Sequence, residues 1–143
     1  MTSLRVATTH DLPGIVALLR QHALPTEDLA EAEVFFLVEA QDATLTGVIG
    51  LQRFGTAGLL RSLAVAPARK GQGTGRRLLA QLEEHARGQG VTELVLLTQT
   101  AQAFFEASGY ALIRRDAAPA AMQQAAEFRT LCPASAVCMA KLL

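Results

Sequence analysis

Residues 70–75, Lys70-Gly71-Gln72-Gly73-Thr74-Gly75, limit more strongly than any other stretch what this chain can fold into. Three glycines at alternate positions are too costly for a helix interior. They follow an apolar run over residues 59–65 and precede Leu78, Leu79, Leu82 and Ala86, which recur at helical spacing. The stretch therefore reads as a tight turn between a strand and a helix, where bare backbone can approach something bulky. Gly88 and Gly90 stop the helix, and a second apolar run over residues 94–98 has the composition of a strand covered on both faces. Strand, helix and strand make a βαβ unit, so its two strands should lie parallel.

The remaining segments arrange themselves around that unit. Residues 4–8 read as a strand. Thr9 or Asp11 can cap the next helix, with Pro13 in its first turn and Leu12, Ile15, Val16 and Leu19 on one face. Residues 24–33 read as a short helix with a loop. Residues 34–39 and 44–54 read as an antiparallel hairpin, its second strand broken by Gly47 and Gly50. Pro67 ends the 59–65 strand. Further on come a short helix over 101–108, a strand over 109–114, a helix over 119–131 and a closing strand over 134–142. The sum is an α+β domain with a mixed sheet and helices on both faces, one domain over 1–143 with no dividing linker.

Thirteen acidic and thirteen basic residues leave no net charge, so binding to nucleic acid or to a membrane surface has no bulk electrostatic support. The basic character is local: Arg69, Lys70, Arg76 and Arg77 flank the glycines, which suits a small anionic ligand. No segment approaches a membrane span, and the stretch over residues 1–5 reads as the start of the fold. Cys132 and Cys138 form no CxxC pair, consistent with a cytoplasmic protein with reduced thiols. His10, His22 and His85 lack the spacing of a metal site or a triad, and no metal is expected.

Free N–H groups at a helix start suit a pyrophosphate, while a plain surface loop with solvated arginines remains the alternative. A Walker loop would need Lys-Ser or Lys-Thr after its glycines. A dinucleotide fingerprint would need an acidic residue at the end of the next strand, where Thr98-Gln99-Thr100 stands. The third type is the pyrophosphate loop of acetyl-coenzyme A enzymes.

Residues 60–110 carry a resemblance to the GNAT acyltransferase family. The matching stretches are Leu60-Arg-Ser-Leu-Ala-Val-Ala-Pro, the glycine loop followed by Arg76-Arg-Leu-Leu, Glu93-Leu-Val-Leu-Leu-Thr, and Phe104-Phe-Glu-Ala-Ser-Gly-Tyr. The family pattern Q/R-x-x-G-x-G/A has Lys70 at its first position, with Gly73 and Gly75 at the other two. The resemblance implies a three-layer α/β/α fold whose mixed, mostly antiparallel sheet has splayed parallel central strands. It implies acetyl-CoA as cosubstrate in that splay, touched by Leu63, Ala64, Val65, Lys70, Gly71, Gln72, Gly73, Thr74, Gly75, Arg76 and Phe105. A deprotonated small-molecule amine would then attack the thioester directly.

Many members place a tyrosine at the position of Phe105, to protonate the leaving thiolate. Tyr110 begins a strand and reads better as packing with a bonded hydroxyl, so no catalytic acid is assigned. Glu39 and Glu127 are candidate bases, with structural carboxylates as the alternative. Arg61, Glu127 and Arg129 are candidate substrate-binding residues; for Arg61 a salt-bridged edge arginine is the alternative. The tail over residues 127–143 is similar to a GNAT subgroup encoded beside arsenic-resistance genes. Its two thiols could bind a soft metalloid, though buried small apolar residues are the commoner role. The strand carrying Val137, Met139 and Leu142 could pair with a second subunit to give a homodimer. A non-catalytic acyl-CoA sensor or interaction module on the same fold is the rival to an N-acetyltransferase.

Overall fold

The computed structural model describes residues 2–29 and 32–143. Among these, seven strands form one sheet: β1 (Thr2–Val6), β2 (Val34–Gln41), β3 (Thr44–Phe54), β4 (Ala57–Val65), β5 (Glu93–Thr98), β6 (Ala111–Ile113) and β7 (Val137–Leu142), in the order β1-β2-β3-β4-β5-β7-β6. Every neighbouring pair is antiparallel except β4 and β5. That parallel pair needs a crossover, supplied by α2 (Thr74–Gly88). The mixed sheet and the βαβ unit match the sequence reading.

Alternation along the central strands divides the core in two. Leu60, Leu94 and Leu96 pack on the α2 side with Leu78, Leu79, Leu82 and Ala86. Leu59 and Val95 face the opposite side, with Met122 and Phe128, and α1 (Leu12–Gln21) covers Val38, Val48 and Ala64 there through Ile15, Leu18 and Leu19. The short α3 (Gln102–Ala107) adds Phe105 to the α2 layer. Fully burying each of these leucines contributes about 1.5–3 kcal/mol, so the layers hold the sheet from both faces.

Four expectations change. Residues 24–26 are irregular and 27–29 a turn, not a helix, with Ala30 and Glu31 of that reading outside the described residues. Ala23, at φ 55, closes α1, and Pro25 follows. The helix expected over 119–131 is two pieces, α4 (Ala120–Gln123) and a wider π-helical turn, Glu127–Leu131. There the adjacent Glu127 and Phe128 both point inward, at 3 % and 7 % exposure. β3 is not broken by its glycines. They are places of close approach: a Cβ on Gly47 would lie 2.8 Å from Leu78 Cδ1 and from Thr74 Cγ2. Finally, β7 lies between β5 and β6, paired with β6 over residues 138–140, and Met139 is fully buried. That stretch of the terminal strand therefore offers no free edge to a second subunit.

Replacing Gly47 with valine is expected to push the start of α2 off the sheet and to cost about 1–3 kcal/mol. A urea midpoint equal to that of the wild type would refute the close approach.

Candidate functional site

Register between β4 and β5 runs only from Ala57↔Glu93 to Leu59↔Val95. Beyond it both strands continue, β5 held by β7 and β4 by β3, with a widening gap between them. A β-bulge reinforces the divergence. The β3–β4 register steps from Val48↔Ala64 to Gly50↔Arg61, so β4 carries an extra residue there, and Ser62 sits at φ 63. For a non-glycine residue that left-handed conformation costs about 1–2 kcal/mol, and bulges add local twist. No residue-type signal announces it, since serine is not a residue that favours this region.

Two chambers open in the gap. The first, of about 570 Å³, is lined by Leu63, Ala64 and Val65 of β4, by Lys70, Gly71, Gly73, Thr74, Gly75 and Arg76 of the loop and helix start, and by Arg69 and Phe104. Nine of the eleven residues that the family resemblance assigns to the cosubstrate are in this wall. Gln72 is outside it: its carbonyl accepts a bond from Arg77 Nη1 at 2.8 Å. Phe105 lines the other chamber, and its neighbour Phe104 takes the place in this one. The two aromatics are adjacent in sequence, and which of them lines this chamber was not readable without the helix phase.

The loop fits an anion by construction. Gly71 and Gly73 have φ of 81 and 80, and Gly73 is the residue before α2, so no side chain caps the helix start. A Cβ on Gly75 would already touch Phe104, at 3.4 Å. Free first-turn N–H groups and the helix dipole favour negative charge here. Arg69 adds a buried Nε with no partner among the described residues. The hydroxyl of Thr74, which could compete for those donors, is turned inward to Glu39 Oε1 at 3.2 Å. Glu39 also accepts from Arg77 Nε (3.1 Å) and Nη2 (2.9 Å). Those bonds hold the Glu39 carboxyl below its usual range. This candidate base is a fastener between β2 and the start of α2.

The second chamber, of about 330 Å³, lies nearer the point where the pairing stops. Arg61, Ser62, Leu96, Phe105, Glu127 and Cys132 are in its wall, and it meets the first chamber at His22, Leu63, Thr100 and Ala101. Arg61 is not at an edge: its side chain is wholly buried in the central strand. Its Nη1 and Nη2 donate to the two oxygens of Asp28 at 2.7 Å each, Nη1 also to Gln52 Oε1 at 3.3 Å, and Nε lies 3.0 Å from Glu127 Oε2. Asp28, 33 residues away in sequence, was missed because nothing local marks it. Bidentate bonding from Arg61 lowers its carboxyl. Burial pushes the Glu127 carboxyl up to about 7, against the pull of Arg61 and with that of Asp28. Arg129 is exposed and stands apart from both chambers.

The remaining candidates fall in packing roles. Tyr110 is 3 % exposed, donates to Glu83 Oε2 at 2.9 Å, and stacks edge-on with Phe105. Burial raises its hydroxyl well above the usual range, Glu83 adding to that effect. Cys138 is buried among Val95, Met122 and Phe128, and burial pushes its thiol up to about 11. Burial likewise pushes Cys132 up to about 12. Among the described residues no three His, Cys, Asp or Glu side chains cluster as a metal site, and no helix is long and apolar enough to cross a membrane.

The sequence matches the Acetyltransferase (GNAT) family over residues 7–110. The chain belongs to that family. It is 32 % identical over 126 residues to an amino-acid acetyltransferase of Neisseria meningitidis, a match spanning 82 % of this chain and 29 % of that protein. It is 34 % identical over 84 residues to an IAA acetyltransferase of Azospirillum brasilense, across 57 % of this chain and 55 % of the relative. This GNAT chain thus spans about half, or under a third, of the curated relatives it matches. The fold superimposes with a TM-score of 0.83 and 25 % identity on N-acetylglutamate synthase from Neisseria gonorrhoeae, solved with coenzyme A and N-acetyl-glutamate, over 100 % of this chain and 35 % of that one.

Glu127 carries a proton in the folded state up to about pH 7, against 4.5 for a free carboxyl. The folded state then holds more protons than the unfolded one between those values, so stability falls as pH rises through that window. Burial depresses the His85 imidazole, an effect of opposite sign, but a comparison of variants cancels it. Relative to Glu127→Gln, the wild type is expected to lose on the order of 2–3 kcal/mol between pH 5 and 8. Parallel stability–pH curves from urea melts would show that Glu127 does not titrate there.

Proposed function

We propose that this chain transfers an acetyl group from acetyl-CoA to the amine of a small molecule. The observation that carries this reading is the meeting of the two chambers beside the bulged stretch of β4, one walled by an uncapped helix start and the other by ionisable side chains. In this reading the N–H groups of residues 71–75 take the pyrophosphate, with Arg69, Lys70 and Arg76 beside it. The pantetheine arm runs along Leu63, Ala64 and Val65, whose edge toward β5 is unpaired. The thioester then lies where the chambers join, and the amine approaches from the second chamber.

Catalysis in such a site comes from placement and from backbone donors that polarise the carbonyl. With phenylalanine at position 105, the departing thiolate takes its proton from the attacking nitrogen or from water. A thiol is a fair leaving group near neutral pH. The arsenic-linked reading rests on the likeness of the tail over 127–143 alone, and it makes an arsenical amino acid a member of the acceptor panel beside amino acids, polyamines and amine antibiotics. Thiol release with any of them supports transfer, whereas CoA binding without turnover on the whole panel favours the sensor.

Gly73→Asp tests the cosubstrate assignment. It places a carboxylate at the helix start, at a left-handed φ, and is expected to weaken acetyl-CoA about tenfold or more by titration calorimetry. Undiminished affinity would remove the loop from the site.

A further inference from the structure

One guanidinium ties a carbonyl of the glycine loop to a buried carboxylate of β2. Arg77 donates from Nη1 to the Gln72 carbonyl at 2.8 Å, and from Nε and Nη2 to Glu39 at 3.1 and 2.9 Å. From that bridge we infer that Arg77 and Glu39 are positioning residues for the cosubstrate, which hold the Gln72–Gly73 peptide with its N–H turned to the first chamber. Neither side chain lines that chamber; both line a separate hollow together with Gln72. They act on the diphosphate only through the peptide, so the inference rests on the acetyl-transfer reading.

Covalent geometry carries the first step. A trans peptide points its C=O and its N–H in opposite directions. The Gln72 carbonyl is drawn to Arg77, so the Gly73 N–H points the other way. Gly73 is in the chamber wall and Gln72 is not, and among the described residues no backbone carbonyl accepts from the Gly73 N–H. The clamp also has something to oppose. Gly73, at φ 80 and ψ 8, has the dihedrals of the third residue of a type II turn. Turning the Gln72–Gly73 peptide over gives the type I form, at φ of about −90°, which glycine adopts as readily. The flipped peptide would present a carbonyl oxygen to the anion and withdraw a donor.

Glu39 gives the clamp its fixed end. The Arg77 side chain is 47 % exposed and Glu39 is 1 % exposed, so the carboxylate is what keeps the guanidinium from following solvent. Thr74 Oγ1 donates to the same carboxylate at 3.2 Å and accepts from Arg77 Nη2 at 3.1 Å, which joins the helix start to the bridge. A Cβ on Gly73 would lie 3.3 Å from Arg77 Nη1, so the guanidinium packs against the loop itself. Charge and position make opposite demands at Glu39. As a charge alone, a carboxylate behind a diphosphate site repels the ligand, and its removal tightens binding. As the fixed end of the clamp, its removal loosens binding.

The test titrates CoA by calorimetry into the wild type, Glu39→Gln and Arg77→Met, and follows pantetheine, which lacks the diphosphate, by ligand-observed NMR. Glu39→Gln is expected to weaken CoA about threefold or more and Arg77→Met about tenfold or more. Pantetheine affinity should stay within about twofold in both, since neither variant touches the wall that takes the arm. CoA bound by Glu39→Gln as tightly as by the wild type, or more tightly, overturns the inference. So does a loss of pantetheine affinity that matches the loss for CoA, because the damage then reaches the whole cleft. Where pantetheine binds the wild type too weakly to follow, the CoA affinity of Glu39→Gln decides alone. Should Glu39→Gln fail to fold by circular dichroism, Arg77→Lys decides. Lysine keeps the charge and lacks the planar fork that spans Gln72 and Glu39; CoA affinity equal to that of the wild type overturns the inference, and a loss supports it. A wild type that does not bind CoA removes the acetyl-transfer reading, and the inference falls with it.

Discussion

The pairing of β4 with β5 stops at Leu59 and Val95, and both chambers open from that stop. Parallel strands joined by a helix would ordinarily zip along their whole length. Here β3 and β7 hold the outer edges of the two strands, so the strands keep their conformation after they part. The bulge at Ser62 adds twist where the gap begins. Local strain of about 1–2 kcal/mol at one serine is small beside the burial of Leu59, Leu60, Leu94, Val95 and Leu96, which fixes the strands on both faces. The sheet can therefore keep an unpaired backbone edge inside the domain, facing a cavity and not a neighbouring strand.

Charge is arranged on two sides of that gap with opposite sense. At the start of α2, Glu39 sits beneath the helix, bonded to Thr74 and Arg77. Through these side chains it locks the helix start to β2 and leaves the first-turn N–H groups for an anion outside. At the other chamber two carboxylates, Asp28 and Glu127, share the one guanidinium of Arg61. The gap thus has one donor-rich wall and one wall built around carboxylates. The two meet at Leu63, Thr100 and Ala101.

The sequence was legible wherever a local rule decides the structure. Glycines 71 and 73 need a left-handed backbone, the leucines of α2 repeat at helical spacing, and an unbroken apolar run marks β5 as covered on both faces. From these, the parallel pair and the loop between its strands follow. Contacts across long separations were not legible: Asp28 with Arg61, Thr74 with Glu39, or the choice between Phe104 and Phe105. The segment over 24–29 looked helical by composition, yet its aspartate is bonded to the central strand. The π-helical turn was invisible for a related reason. Adjacent residues of an ordinary helix can share a buried face, as Leu78 and Leu79 do, so burial of Glu127 and Phe128 leaves no local mark of the wider turn, and only the tertiary demand of Arg61 for Glu127 sets this segment apart.

That demand explains why a buried ion cluster is tolerated. Burying charge is costly, and a well-packed apolar trio would serve stability as well. Removing one partner, however, strands the others and typically costs about 3–5 kcal/mol. Arg61 therefore acts as a clamp on three segments with little else in common: the turns after α1, the bulged strand, and the C-terminal turn. Each forms a wall of the second chamber. An apolar trio could hold these walls together, but it could not hold a carboxylate at their junction with its proton affinity raised. Burial raises that affinity, and the competing claim of Asp28 on the same guanidinium keeps it from being reversed. The position of Glu127 and its readiness to exchange a proton are thus two consequences of one shared arginine.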